Sequence, residues 1–413
     1  AVEILNDFDA VSLYPSAMSR MGFLKGKPKI IQSTNWNDIK NYDGLFLEIK
    51  IKNVGIKRNF PLLSYIDETT GVRNFTNEMV GRTVYLDKIS LEDAIKFQNI
   101  EFEVIKGYYF NEGFNYKIQD VITMLFNERL KKKKEGNPIQ IIYKEILNSA
   151  YGKTILKASN IDTIYKNGKL EFEKYFDKNY NFIHSYEVID GTQNLKDRQQ
   201  IYRLKVFKPL LEHYNRPHVG SSVLAMSKRI MNEVMCLAED NDINLYYQDT
   251  DSIHITANKI DLLSEKFEEK YERKLIGSQL GQFHSDFDLA GASDIVSKKS
   301  IFLGKKSYID VLQGVGKEGE TIEGYHIRLK GIPLASIEHY CSSNNINEYQ
   351  LYEQLRDGIE TKFDLLCGKY DVDGVSYTNK PKFKKGSDKS IRSLKEFDRV
   401  LNKVKLTDAV FKI

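Results

Sequence analysis

The chain has 413 residues, more than one hydrophobic core usually supports, and its 41% hydrophobic content is that of a globular protein with two or more subdomains. No apolar run approaches the length of a membrane span and there is no signal-peptide pattern, which leaves no membrane partner. The net charge of +4, from 61 basic and 57 acidic residues, does not by itself point to nucleic acid, and three scattered cysteines without a Cys-x-x-Cys argue against a cysteine-based zinc module and a disulfide framework and fit a reducing, intracellular compartment.

The chain opens with Ala1-Val2-Glu3 and no initiator Met, so the expectation is a fragment or processed piece. A β-favouring run over residues 2–8 delivers Asp9. Ser12-Leu13-Tyr14-Pro15-Ser16 then reads as a helix start, which puts Asp9 at a strand end before a turn, a usual place for a ligand-binding carboxylate. The bland alternative is an Asp that caps the turn. Residues 22–110 alternate short strands with Gly, Asn and Pro, and Ser90 is expected to cap a short helix, so the segment reads as a small α+β insertion.

Two helices follow. Ile118, Val121, Ile122, Leu125 and Phe126 stripe the first, and Arg129 and Lys133 share a face near its end. Gly136 ends it, and Asn137 with Pro138 starts the second. There Gln140, Lys144 and Asn148 recur every four residues, leading to Tyr151 and Gly152, on a polar face opposite Ile142 and Ile146. Such a helix pair either holds a triphosphate with Arg129, Lys133 and Lys144 or is a salt-exposed helical hairpin.

Asn167-Gly168, between two β-favouring runs, reads as a hairpin turn, so residues 159–197 are expected to form a β-hairpin arm. A helix over residues 220–237 with Val223, Met226, Ile230, Val234 and Leu237 buried precedes Tyr246-Tyr247-Gln248-Asp249-Thr250-Asp251-Ser252. That stretch reads as strand-turn-strand with two carboxylates at its tip. Asp249 and Asp251 repel each other, and a cation between them removes the repulsion. An ordinary Asp-rich turn is the alternative. Further on, Lys306 and Tyr308 are expected on one side of a strand, Arg328 and Lys330 at another strand's end, and residues from 332 as helical and polar. Lys298-Lys299 and Lys384-Lys385 are local basic patches.

Asp9-x-x-Ser12-Leu13-Tyr14-Pro15, Lys144-x-x-x-Asn148-Ser149-x-Tyr151-Gly152 and Tyr247-x-Asp249-Thr250-Asp251-Ser252, in this order, resemble motifs A, B and C of the family B DNA polymerases, and Lys306-Ser307-Tyr308 is similar to the Lys-x-Tyr motif of their protein-primed branch. The resemblance implies an α+β right-hand polymerase fold: palm (1–21 and 200–331), fingers (111–156), thumb (332–413), a terminal-protein-region-like insertion (22–110) and a second insertion forming an arm (157–199). It implies a DNA-directed DNA polymerase that uses dNTPs, a DNA template-primer and a terminal priming protein in viral or plasmid replication, inside the cytoplasm or nucleus of a host cell. Asp9, Asp251, Asp249 and the Ala10 carbonyl would hold two Mg²⁺ ions, with Mn²⁺ able to replace them. Ser12, Leu13, Tyr14, Arg129, Lys133, Lys144, Asn148 and Tyr151 would contact the nucleotide, with Tyr14 excluding a 2′-hydroxyl and Lys144 catalytic. Tyr247, Thr250, Ser252, Lys306, Tyr308 and Lys330 would contact DNA. No exonuclease motif precedes Asp9, and Gln140 stands where the branch often has a basic residue. Another palm polymerase (a reverse transcriptase or RNA polymerase) and a non-catalytic replication subunit remain as alternatives.

Overall fold

The computed structural model describes residues 3–156, 161–189, 192–207 and 215–363, and the backbone of three short strands beyond them. Cys367, Lys384, Lys385 and most of the expected thumb lie outside the described residues. The chain divides into two compact units, one of Ala1–Gln119 with Ala225–Ile413 and one of Asp120–Leu224.

In the first unit, β1 (Leu5–Ala10) is buried at every position except half-buried Asp9. Period-two alternation is absent because the strand is internal, as expected where both faces are covered. It leads through Ser12, in the left-handed region at φ 48°, into α1 (Leu13–Arg20). An antiparallel pairing of β2 (Phe23–Leu24) with β9 (Phe114–Asn115) closes the base of an insertion. Its four-stranded sheet runs β3 (Lys29–Ile30), β8 (Ile100–Phe110), β4 (Gly44–Val54), β7 (Thr83–Asp87), with a short α2 (Trp36–Ile39) and a β5 (Ser64–Ile66)–β6 (Arg73–Phe75) ribbon. Leu45, Leu47, Ile49 and Ile51 alternate on the face that packs under Leu91 and Ala94 of α3 (Lys88–Gln98). The α+β reading of this segment holds. The cap differs: Asp87 accepts the Ser90 N–H at 3.2 Å, so α3 starts two residues before Ser90. Asp87 sits directly at the end of β7, and its carboxylate takes the capping role first.

In the second unit, α4 (Lys117–Lys134, shared between the units at its start) ends at Gly136, φ 65°. The Asn137 side chain accepts the Ile139 N–H at 3.0 Å and so starts α5 (Ile139–Thr154), as expected. Of the apolar residues on these helices, Ile122, Phe126 and Leu147 are buried, while Ile142 and Ile146 are exposed. The expected hairpin at Asn167-Gly168 does not form. β10 (Ile161–Asn167) runs into α6 (Lys169–Asn179), and a three-stranded sheet β10-β12-β11 is completed by β11 (Ile183–Val188) and β12 (Ile201–Phe207). Two facts explain the difference. Gly168 donates to the Gln200 carbonyl and Lys169 to that of Asp197, which turns the chain away from β10. Phe172, Tyr175 and Phe176 are spaced as on one helical face, and they pack on Tyr202, Leu204 and Val206. The arm is therefore a helix on a sheet.

The chain returns through α7 (Pro217–Asp240), whose expected stripe of Val223, Met226, Ile230, Val234 and Leu237 is buried. β13 (Leu245–Asp249) and β14 (Ser252–Thr256) follow, then α8 (Ile260–Tyr271), β15 (Phe283–Ser285), β16 (Ala292–Gly304), β17 (Ser307–Gly316) and β18 (Thr321–Leu329). The main sheet has the order β13-β14-β1-β16-β17-β18, with β15 also paired to β1. α9 (Leu334–Asn344) and α10 (Glu348–Arg356) cover its far end through Ile337, Cys341, Leu351 and Leu355, followed by β19 (Thr361–Phe363).

Within the first unit α7 is the anchor. Arg229 bonds Asp93 at 2.6 Å and Glu92 at 2.9 Å, which fastens α3 to it. Arg58 of the insertion reaches Asp240 at 2.6 Å. Glu233, 5% exposed, takes both guanidinium nitrogens of Arg20, at 3.0 and 3.1 Å, and Arg273 at 2.7 Å. Arg20 ends α1, so this pair sets the axis of the helix that carries Tyr14. Glu233→Ala should destabilise the protein by about 2 kcal/mol, less than for a fully buried pair because both guanidiniums still reach water. Urea unfolding at pH 7 measures it; an unchanged midpoint would contradict the anchoring role.

Candidate active site

β1 and β14 pair antiparallel from Leu5↔Thr256 to Asp9↔Ser252. The Ala10 N–H donates to the Asp251 carbonyl at 2.8 Å, so the backbone itself sets Asp9 beside the tip of the β13–β14 hairpin. The hairpin tip is tight: Thr250 has φ 57°, and the Asp251 N–H donates to the Asp249 carbonyl at 2.7 Å. On the other side of β1, His284 is the register partner of Asp9. Asp9, His284 and Asp286 can each present a ligand atom within 4.8 Å of the others.

Four carboxylates thus converge on one strand end. Burial pushes the Asp9 carboxyl up to about 8, and Asp251, Asp286 and Asp7 add to it by repulsion. Burial raises Asp251 too, with Asp249 and Asp286 in the same direction and Lys306 opposing. Asp249 is placed differently. It accepts from Lys306 Nζ at 2.6 Å and from the Thr250 hydroxyl at 3.1 Å, and so already has a cation beside it.

The turn that follows Asp9 is built to hold its shape. Ser16, fully buried, donates to the Val11 carbonyl at 2.6 Å and accepts the Gly281 N–H at 2.8 Å. Val11 N–H donates to the Gln282 carbonyl at 2.9 Å. Leu13 and Ala10 are buried, Ser12 and Tyr14 half-buried. Burial raises the Tyr14 hydroxyl, and the Asp251 charge raises it further.

Lys306 is not on a strand. It occupies the turn between β16 and β17 at φ 59°, exposed, because the chain reverses between Gly304 and Ser307. Ser12, Thr250 and Lys306 are three of eight non-glycine residues with positive φ among the described residues, and all three bound this site. Such backbone is held only where its surroundings over-determine it. Tyr247 and Tyr308 are buried core aromatics with Phe302 and Leu5. The Tyr247 hydroxyl accepts the Lys306 N–H at 2.7 Å, so this core sets the lysine's turn. A cleft of about 410 Å³ runs from Lys306 past Arg328 and Lys330 to Leu334. Thr250 is exposed and Ser252 half-buried. The Lys298-Lys299 pair is partly neutralised, Lys298 reaching Glu323 at 3.4 Å and Lys299 lying over the Tyr349 ring.

The remaining candidates belong to the second unit. Lys144 and Asn148 are exposed on α5, Lys133 is exposed and Arg129 half-buried on α4, and Tyr151 is half-buried. Burial lowers the Arg129 guanidinium. At Gly152, inside α5, an added Cβ would meet nothing within 4 Å. Glycine here costs the helix about 1 kcal/mol relative to Ala, with no packing reason among the described residues.

A family model described as DNA polymerase type B, organellar and viral, matches residues 3–235. A probable DNA polymerase of Podospora anserina is 25% identical over 333 residues, 70% of this chain and 25% of that protein. A DNA polymerase of Acidianus bottle-shaped virus is 31% identical over 163 residues, 35% of this chain and 23% of that one. The chain thus spans about a quarter of the length of these relatives. Among solved structures, phi29 DNA polymerase with primer-template DNA and incoming nucleotides superposes with a TM-score of 0.57 at 16% identity, over 91% of this chain and 56% of that one. Its complex with primer-template DNA alone gives 0.53 at 15% identity, over 92% and 57%. The fold is that of a right-hand polymerase.

Asp9 binds a proton in the folded state that the unfolded chain, at 3.8, releases. Without metal the protein should therefore lose stability as pH rises from about 4 to about 8, and no further above. Asp9→Asn should flatten that slope and stabilise the chelated protein at pH 8 by roughly 1 kcal/mol, allowing for solvent screening. Urea midpoints in EDTA across this range measure it; a slope equal in parent and variant would contradict the burial argument.

Proposed function

This chain belongs to the organellar and viral type B DNA polymerases, and from that premise we propose that it adds deoxynucleotides to a DNA primer terminus in a template-directed, protein-primed reaction. The observation that carries the proposal is the pairing of β1 with β14, which sets Asp9 and Asp251 at adjacent strand ends. The residues fit a divalent cation. Their donors are hard carboxylate oxygens, and crowding keeps a proton on Asp9 until a cation replaces it. Asp9, Asp251 and the Ala10 carbonyl would hold two Mg²⁺, with Asp249 contributing less because Lys306 already engages it. When bound, such ions activate the primer hydroxyl and stabilise the leaving pyrophosphate.

The chain's own groups do the rest. Lys144 and Arg129 neutralise the triphosphate, with Lys133 beside them. Tyr14, half-buried near Asp251, closes the space a 2′-hydroxyl would need. Asn148 and Tyr151 line the nascent base pair, and Gly152 leaves room for it, which accounts for a helix glycine without internal neighbours. Lys306, Arg328 and Lys330 hold primer and template phosphates along their cleft. Thr250 and Ser252 stand at the primer terminus. Residues 22–110 dock a terminal priming protein, and the helix-on-sheet arm lies against the duplex.

Primer extension on a DNA template with Mg²⁺ tests the reading. The parent should extend with dNTPs. Asp9→Asn and Asp251→Asn should each lower the rate about a thousandfold or more while primer-template binding persists. Lys144→Ala should lower kcat/KM about a hundredfold. Tyr14→Val should raise ribonucleotide use relative to deoxynucleotide. Gly152→Ala should slow extension without lowering stability. Normal extension by either Asp variant, or a preference for rNTPs by the parent, would overturn the assignment.

A further inference from the structure

Beside Asp9, on the same face of the main sheet, lies a second polar cluster that the polymerase reading leaves unused. Asp7 of β1 faces His254 of β14 in register, and Asp310 of β17 faces His326 of β18. Asp7, His254 and Asp310 are buried and the His326 side chain is 14% exposed. His254 Nε2 lies 3.0 Å from Asp310 Oδ2, and the Ser300 hydroxyl donates to Asp310 Oδ1 at 2.6 Å. The other side of the cluster is not bonded. Asp7 Oδ1, His254 Nδ1 and His326 Nδ1 are all buried without a hydrogen-bond partner. His254 Nδ1 stands 3.7 Å from Asp7 Oδ1, too long for a hydrogen bond, and His326 Nδ1 stands 3.5 Å from Asp310 Oδ2.

One carboxylate oxygen and two imidazole nitrogens, buried in one place without a close hydrogen bond, can share a common partner. Asp7, His254 and His326 can each offer one atom with all three within 4.8 Å of one another. Two ligands of a tetrahedral ion with metal–ligand distances near 2 Å stand about 3.3–3.5 Å apart, close to the Asp7–His254 separation. The imidazole that would ligate through Nδ1 gives its other nitrogen to Asp310, the arrangement in which a carboxylate fixes the tautomer and orientation of a metal-bound histidine. Rings of Phe287, Phe302 and Tyr308 stand 5.0–5.9 Å from that of His254 and keep bulk water away.

We propose that Asp7, His254 and His326 bind a transition-metal ion of the Zn²⁺ class, with a water molecule as its fourth ligand and Asp310 orienting His254. Two imidazoles and one carboxylate favour such an ion over Mg²⁺, which takes oxygen donors. The ion ties β1 and β14 to β18 and so stiffens the strands that carry Asp9 and Asp251. The proposal does not rest on the polymerase reading.

The full chain is loaded with Zn²⁺, dialysed against excess Mg²⁺ and assayed for metal content, then reconstituted with Co²⁺ for its visible spectrum. The parent should keep one Zn²⁺ per chain, and Co²⁺ should give the visible bands of a four-coordinate site. His326→Ala and Asp7→Asn should lose both signals. Asp310→Asn should weaken Zn²⁺ binding about 10–100-fold. Far-UV circular dichroism and melting in EDTA establish that each variant is folded. A parent that retains no zinc overturns the proposal, whatever the variants do. So does zinc retention that is equal in the parent and in folded His326→Ala or Asp7→Asn.

Discussion

The structure turns on a repulsion. Antiparallel pairing of β1 with β14 fixes Asp9 next to Asp251, and β15 brings Asp286 to the other side of the same strand. Backbone hydrogen bonds enforce this proximity, so the carboxylates cannot relax apart without breaking the sheet. Burial then removes the water that would screen them, and Asp9 answers by holding a proton near neutral pH. A site that stores unfavourable charge in a rigid frame is one that a divalent cation and a polyphosphate can complete. Lys306 bonds Asp249 directly and eases Asp251 only from a distance, which separates Asp249 from the other two.

The frame around this point is built by neighbouring turns and by one helix. Ser16 ties the motif A turn to the segment before β15, and Tyr247 ties the motif C hairpin to the Lys306 turn. α7 carries the ion pairs that hold α1, α3 and the insertion. A long helix with one apolar face and charged residues at its margins can serve both as core and as anchor. The acidic strand ends are therefore braced through elements far apart in the sequence.

Local signals were legible wherever chemistry and periodicity agreed. The stripe of α7, the Gly136–Asn137 junction and the acidic hairpin tip all follow from residue type and spacing. The Asp9 turn was legible for the same reason. The arm was misread because Asn-Gly suggests a two-residue turn, whereas Gly168 is bound to residues near β12, more than thirty positions away in sequence. The spacing of Lys306 and Tyr308 predicts one strand face, but a reversal at Lys306 separates an exposed cation from a core ring. His284 and Asp286 were missed altogether. Their only signal was the alternation of Phe283 and Phe287 with polar residues, and pairing with β1 is a long-range fact. The Asp7–His254–His326 cluster was hidden similarly, its members lying on three strands that only the sheet brings together.

The central claim is that folding crowds Asp9 and Asp251 into a site that exchanges a proton for a divalent cation. Calorimetric titration with Mn²⁺ at pH 7, repeated in buffers of different ionisation enthalpy, reads that exchange directly. The account predicts close to one proton released per ion bound at the site, and Asp9→Asn should abolish that release. Mn²⁺ binding with no proton release, or with the same release in Asp9→Asn, would contradict it.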